Sequence, residues 1–287
     1  MTPSVQLSSS IAVQIVRWNC LPSAQRARGR ASGVAMALSA LSGDEQGILF
    51  VQLCNVLDPG VAVALSSVSN ELRTATQAPL QELKTGHEAA AALCYKLGMS
   101  CKQLREAKAV YCSHSGLTGD ELKLLGTLGS VLPALKTLTL REPAAGPDGV
   151  QQLAAGLGAG ALPAVTWLHI HDTHMGDAGA SALAAALGQG ALPRLQTLGL
   201  YNAAIGDAGL VALAPALRRR PALEFLRLYG NPLGDEGLAA LVAPPPPAGA
   251  PPPTTGGLAT LTVLDLDRSQ ITDAGCATLA AALDSGA

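Results

Sequence analysis

Three stretches of this 287-residue chain set reactive side chains close together. The densest is His169-Ile170-His171-Asp172-Thr173-His174. In an extended segment, His169 and His171 share a face, as two metal ligands must. A third ligand would have to come from a loop, and no neighbouring segment offers a matching His or Cys. The pattern falls short of a metal site, and no cofactor is expected. Gly156-Leu157-Gly158-Ala159-Gly160 has the glycine density of a phosphate loop. It follows a helical stretch instead of opening one, and no Lys-Ser/Thr comes after it, so it reads as a helix C-cap and turn. Cys94, Cys101, Cys112 and His114 lack the spacing of a zinc knuckle and read as buried or loop thiols. No serine sits in an elbow motif with a placed histidine, so the chain does not read as an enzyme.

Composition narrows the remaining chemistry. Charged residues are 14%, aromatics 3%, and the net charge is −2, which is thin for a nucleic-acid binder. The same balance gives no reason to favour an anionic membrane surface. No run of about 18 unbroken apolar residues is present, so no transmembrane helix is expected. The six cysteines are scattered and form no dense framework, which suits reduced thiols inside a cell.

The dominant feature from Leu132 onward is repetition. Leu135, Val165, Leu195, Leu223 and Leu261 hold one equivalent position, at intervals of 30, 30, 28 and 38 residues. The long interval marks an insertion at 243–257 that carries Pro244–Pro247 and Pro251–Pro253 and reads as polyproline II or an unstructured loop expansion. Within a unit the apolar period changes midway. Leu195, Leu198 and Leu200 read as a short strand; Leu210, Leu213 and Leu217 have helical spacing. Asp148, Asp177, Asp207, Asp235 and Asp273 recur between the two halves. An acid there satisfies free N–H groups in the first helical turn, so these aspartates read as structural. Arg218-Arg219-Arg220 follows a helix, where cations suit the negative dipole end, and reads as a solvated turn.

One βα unit cannot bury its own apolar face, whereas stacked units can. The pattern L-x-x-L-x-L-x-x-N-x-L over residues 104–287 resembles the leucine-rich repeat of the ribonuclease-inhibitor class. That resemblance implies an α/β fold: a right-handed βα leucine-rich-repeat solenoid in a horseshoe arc, with a parallel inner sheet, outer helices and an all-α N-terminal cap region. The Asn position reads Pro143, Thr173, Ala203, Asn231 and Ser269, so the side-chain hydrogen bonds of that position are expected to be sparse. Residues 104–131 read as one worn repeat, with Leu117, Asp120, Leu122, Leu125 and Leu128 as its helical half. At the other end no polar closing unit follows Asp284, so the last repeat is expected to expose an apolar flank.

With the leucines turned inward, alternation along each strand displays the residues between them on the concave side. These are Thr137, Thr139 and Arg141; Trp167, His169 and His171; Thr197, Gly199 and Tyr201; Phe225, Arg227 and Tyr229; and Val263, Asp265 and Asp267. Four rings of an aromatic-poor chain fall in this set, where core packing does not call for them. Aromatics and Arg are favoured at interface hot spots. The candidate partner-binding residues are therefore Arg141, Trp167, His169, His171, Tyr201, Phe225, Arg227, Tyr229, Asp265 and Asp267, for a protein partner of unknown identity. A GTPase activator of Ran uses the same repeat class, and that role stands as a fold-level alternative.

The N-terminal third does not repeat. Residues 38–103 read as several helices, including one over 79–98 with Leu80, Leu83, His87, Ala91 and Cys94 on one face and Gly98 at its end. Leu57-Asp58-Pro59 followed by Val68-Ser69-Asn70-Glu71-Leu72 resembles an F-box, with Ser42 and Leu72 departing from its Pro and Trp. The resemblance implies that Leu57, Pro59, Val68 and Leu72 dock a cullin ubiquitin-ligase adaptor while the repeats present a substrate. A plain helical cap is the other reading. Residues 1–37 lack acids and carry Ser8–Ser10, Arg17, Arg26, Arg28 and Arg30. They read as a disordered leader or as an organellar transit peptide, against an otherwise cytoplasmic or nuclear location.

Overall fold

The computed structural model describes residues 55–66, 73–74, 76–145, 148–242, 258 and 260–284. The leader, Val68, Leu72, the insertion and residues 285–287 lie outside them. The chain divides into two compact units, 1–92 and 93–287.

In the first unit, helix α1 (Gly60–Ser66) follows a tight turn in which Asn55 pairs with Asp58 and the Asn55 side chain accepts the Leu57 N–H. Helix α2 (Gln77–Lys96) starts in this unit and runs into the second. Its buried residues are Leu83, Ala90, Leu93 and Cys94. Ala91, expected on that face, is exposed. A step from Leu83 through His87 to Ala90 and Cys94 follows the 3.6-residue turn, whereas Ala91 lies about a hundred degrees further round.

The second unit opens with helix α3 (Cys101–Glu106) and continues as six βα repeats. The strands are β1 (Ala109–Ser113), β2 (Thr137–Arg141), β3 (Trp167–His171), β4 (Thr197–Tyr201), β5 (Phe225–Arg227) and β6 (Val263–Asp265). Each is followed by a helix: α4 (Gly119–Thr127), α5 (Gly149–Gly156), α6 (Gly176–Gly188), α7 (Asp207–Arg218), α8 (Asp235–Leu241) and α9 (Asp273–Asp284). All neighbouring strands are parallel, in the order of the sequence. The register lines up Val110, Leu138, Leu168, Leu198, Leu226 and Leu264 in one row across the sheet. From Val110 to Leu226 that row is fully buried. Leu210, Leu213 and Leu217 of α7, and their counterparts in other helices, close the core from the other side. Burying one such leucine contributes about 2 kcal/mol, so stacking holds what no single unit can.

The side chains that join repeat to repeat differ from the expected helix caps. Asp177 accepts the Gly206 N–H at 2.7 Å, and Asp207 accepts Gly234 N–H at 2.7 Å and Gly237 N–H at 3.0 Å. Asp235 accepts the Thr272 N–H at 2.8 Å. Each carboxylate therefore lies in the first turn of its own helix but accepts these hydrogen bonds from the start of the following repeat's helix. The recurrent Asp-x-Gly exists for this reason: a Cβ on Gly209 would sit 2.6 Å from Asp177 Oδ1, and one on Gly237 would sit 2.7 Å from Asp207 Oδ1.

Two buried polar side chains tie the loops beyond the strands. Asn231 accepts the Ala203 and Ile205 N–H groups, both at 3.1 Å, and donates to the Leu200 and Leu228 carbonyls. In the second repeat, where Pro143 holds the equivalent position, Glu142 reaches in from one residue earlier. Its carboxylate, 0% exposed, accepts the N–H groups of Ser115, Gly116 and Leu117. Thr173, in the same position of the third repeat, buries an Oγ1 that has no hydrogen-bond partner among the described residues. Arg220 is not a solvated turn residue: it is half-buried and donates to the carbonyls of Leu187, Ala191 and Leu192 at the end of α6. Leu264, Leu266 and Ile271 are half-buried and Leu283 is 68% exposed, where the equivalent core leucines of inner repeats are sealed.

Candidate functional site

The six strands turn one face to the helices and the other away from them. On the second face the register sets Thr137, Trp167, Thr197, Phe225 and Val263 in one row, and Tyr111, Thr139, His169, Gly199, Arg227 and Asp265 in the next. A third row, at the C-terminal strand ends, has His171 beside Tyr201. Tyr229 and Asp267 fall just past their strands, in turns, but the rows continue through them: Asn202 N–H donates to the Tyr229 carbonyl and Gly230 N–H to that of Asp267.

Rings dominate the centre of this face. Trp167 is 49% exposed. The His171 and Tyr201 rings stack at 4.4 Å and 3°. His169 meets Tyr201 edge-on at 5.8 Å and lies 6.1 Å from the Trp167 ring. Tyr201 can lie flat because Gly199 has no side chain; a Cβ there would collide with the tyrosine ring. Gly199 and Thr197, expected on display, are consequently buried, Gly199 beneath this ring and Thr197 between Trp167 and Phe225 in the row. Phe225 and Tyr229 are half-buried, and the Arg268 guanidinium lies 5.1 Å from the Tyr229 ring centre. Such a contact contributes about 0.5–1 kcal/mol at an exposed site.

Charge is arranged around the rings in pairs. Asp172 and Asn202, each directly after its strand, take left-handed backbone conformations with φ of 52° and 45°. Asp and Asn tolerate that region better than most residues. The turns bring Asp172 within 2.9 Å of Arg141 Nε and 2.9 Å of Asn202 Nδ2. The Asn202 hydrogen bond, helped by the Arg141 charge, holds the Asp172 carboxyl below its ordinary range. Burial pushes both His169 and His171 below the usual imidazole value. His171 and Arg227 add to the effect at His169, and Arg141 adds to it at His171, where Asp172 opposes. The buried Nε2 of His169 has no hydrogen-bond partner among the described residues. Arg227 stands in register with Asp265, and Asp265 accepts the Asp267 N–H at 3.2 Å. No group of three or more His, Cys, Asp or Glu among the described residues is placed to hold a metal ion.

Residues 221–242 and 257–280 match the family model described as Leucine Rich repeat. These two segments are similar to leucine-rich repeats. The matched segments contain β5 with α8, the unit that has Asn231, and β6 with α9. No curated protein matches the chain.

The repeat geometry brings Trp167, His169, His171, Tyr201, Phe225, Arg227, Tyr229, Asp265 and Asp267 to one face, with Arg141 exposed at its strand end. It also brings one residue that sequence reasoning missed. Tyr111 is 65% exposed on β1, in register with Thr139. The alternation Val110-Tyr111-Cys112 is the signal that marks it, with Val and Cys standing where later repeats have leucine. Of the residues expected to dock an adaptor, Leu57 is 4% exposed, so it does not face outward, and Pro59 is half-buried. Val68 and Leu72 lie outside the described residues.

Proposed function

We propose that this protein is an interaction scaffold that holds a protein partner against the sheet face turned away from the helices. Leucine-rich repeats are generally protein-binding modules, which agrees with the family match. One observation carries the reading. The chain has two Trp, four Tyr and two Phe, and Tyr111, Trp167, Tyr201, Phe225 and Tyr229 all belong to this face. Rings add large contact area at little conformational cost, and they concentrate at binding hot spots. We also read the repeats as the ribonuclease-inhibitor type, because a helix follows every strand and the first residues of β2 to β5 are 30, 30 and 28 apart.

The test compares the full-length protein with a Trp167→Ala, Tyr229→Ala double variant as immobilised bait in cell extract, with quantitative mass spectrometry of what each retains. The wild type should hold a partner that the variant loses by about tenfold or more in affinity. Circular dichroism should give both proteins the same cooperative melt. A variant that keeps its fold and still captures the same proteins equally sinks the proposal. A variant that melts shows that these rings belong to the core.

A further inference from the structure

Charge is unevenly spread over the ring-bearing face. In β1 to β4 the positions turned away from the helices hold Arg141, His169 and His171, and no acid. Lys108 and Lys136 are exposed at the edge where β1 and β2 begin, with Lys136 N–H donating to the Lys108 carbonyl at 2.8 Å. Asp172, in the turn after β3, is already engaged at both oxygens, by Arg141 Nε and Asn202 Nδ2. Among the described residues Arg141 pairs through Nε alone, and its side chain is 51% exposed. Arg227 makes no ion pair or hydrogen bond among the described residues, and the Nε2 of His169 makes none either. The register sets these two on either side of Gly199, two strands or about 10 Å apart, with the Tyr201 ring over the glycine between them. Acids return beyond β4, as Glu224 before β5 and as Asp265 and Asp267 at β6.

We infer that the partner lays an acidic segment across β1 to β4, with aspartate or glutamate side chains on these bases and an apolar side chain against Trp167 and Tyr201. The inference rests on the reading of this face as a protein-binding surface. Cationic groups without an internal partner gain most from a carboxylate, because a charge-assisted hydrogen bond is about twice as strong as a neutral one. The bases are also spread out. Lys136 and Arg141 are five residues apart, about 17 Å along an extended strand. That spacing suits several carboxylates on one extended chain better than a single phosphate. A nucleic-acid strand would stack on the rings too, but its phosphates would meet Glu224, Asp265 and Asp267 on the last two strands. The charged and titratable groups facing the two imidazoles are Arg141 from β2, Asp172 from the turn, Tyr201 from β4 and Arg227 from β5. In the free protein, burial and the arginines hold both imidazoles neutral. A carboxylate set against them favours the protonated form, so binding takes up protons and tightens as pH falls.

The experiment selects phage-displayed random peptides of about 12 residues, long enough to cross the four strands, on the full-length protein and on the Trp167→Ala, Tyr229→Ala variant. Peptides kept by the wild type and lost on the variant should carry Asp or Glu beside an apolar residue. The strongest is synthesised with a fluorescent label and its affinity read by anisotropy. It should bind about three- to tenfold tighter at about pH 6 than at about pH 7.5, where its own carboxylates stay ionised throughout. A His169→Asn, His171→Asn variant should lose that difference. Lys136→Glu, an exposed change that leaves the core alone, should weaken binding about fivefold. Excess oligouridylate should not displace the peptide. Ring-dependent peptides that are basic or uncharged overturn the inference and leave the protein-binding reading standing. So do displacement by oligouridylate, an unchanged affinity in Lys136→Glu, or the same pH response without the histidines. The absence of any ring-dependent peptide sinks the binding reading of the face, and this inference with it.

Discussion

Replacing Gly237 with alanine tests whether the Asp-x-Gly motif is a contact between repeats. The new Cβ would lie 2.7 Å from Asp207 Oδ1, 3.1 Å from Asp207 Cα and 3.3 Å from Leu210 Cβ. Forced overpacking costs about 1–3 kcal/mol, and the gain in helix propensity returns up to about 1 kcal/mol of that. The displaced carboxylate also loses its 3.0 Å bond from Gly237 N–H. A net loss of about 2 kcal/mol is expected for Gly237→Ala. Asp207→Ala strips the acceptor from Gly234 and Gly237 N–H, a capping loss of about 1–2 kcal/mol, with about 0.5 kcal/mol more from the first turn of its own helix. In the double variant the nearest obstacle to the alanine has gone, so the two losses should not add. The shortfall should be about 1 kcal/mol, read from urea denaturation of the wild type, both single variants and the double. If the losses sum to within about 0.5 kcal/mol, the aspartate does not pack on the glycine of the next repeat and the reasoning fails.

Two further predictions concern polar groups. Asn231→Ala leaves the Ala203 and Ile205 N–H groups buried without an acceptor and should cost about 3 kcal/mol. Thr173→Val removes an unpartnered buried hydroxyl and should be neutral or stabilising by about 1 kcal/mol; chemical denaturation separates the two signs. His169 and His171 are held below their unfolded-state value, so the unfolded chain binds more protons in that window. Their contribution should be complete above pH ~6.5 and lost as pH falls from there through the folded values. The melting temperature should therefore drop on acidification more in the wild type than in a His169→Asn, His171→Asn variant, and equal drops would exclude these residues as the source.

Much of the fold was legible because a repeat states the same information several times. Leu195, Leu198 and Leu200 mark a strand and Leu210, Leu213 and Leu217 a helix in any single unit, and recurrence removes the ambiguity of short apolar runs. The first repeat was half legible. Its helix over Gly119–Thr127 has leucines at the right spacing, whereas its strand uses Val110 and Cys112, so Tyr111 passed unnoticed. On the face itself, alternation alone separated displayed from buried positions at Trp167, His169 and Phe225 but failed at Thr197 and Gly199. Alternation sets the side of a sheet on which a side chain begins, not what its neighbours fold over it.

The local residue pattern determined the elements, their order and the core leucines, since period and turn chemistry act over a few residues along the chain. The partners that fasten one repeat to the next were decided by the tertiary structure. Asp207 on Gly234, Glu142 on the Ser115–Leu117 amides and Arg220 on the Ala191 and Leu192 carbonyls beyond α6 all depend on how closely neighbouring units approach and in what register. Asp207, Glu142 and Arg220 each bridge residues more than 20 positions apart. Local spacing carries no term for that distance, and stacking supplies it.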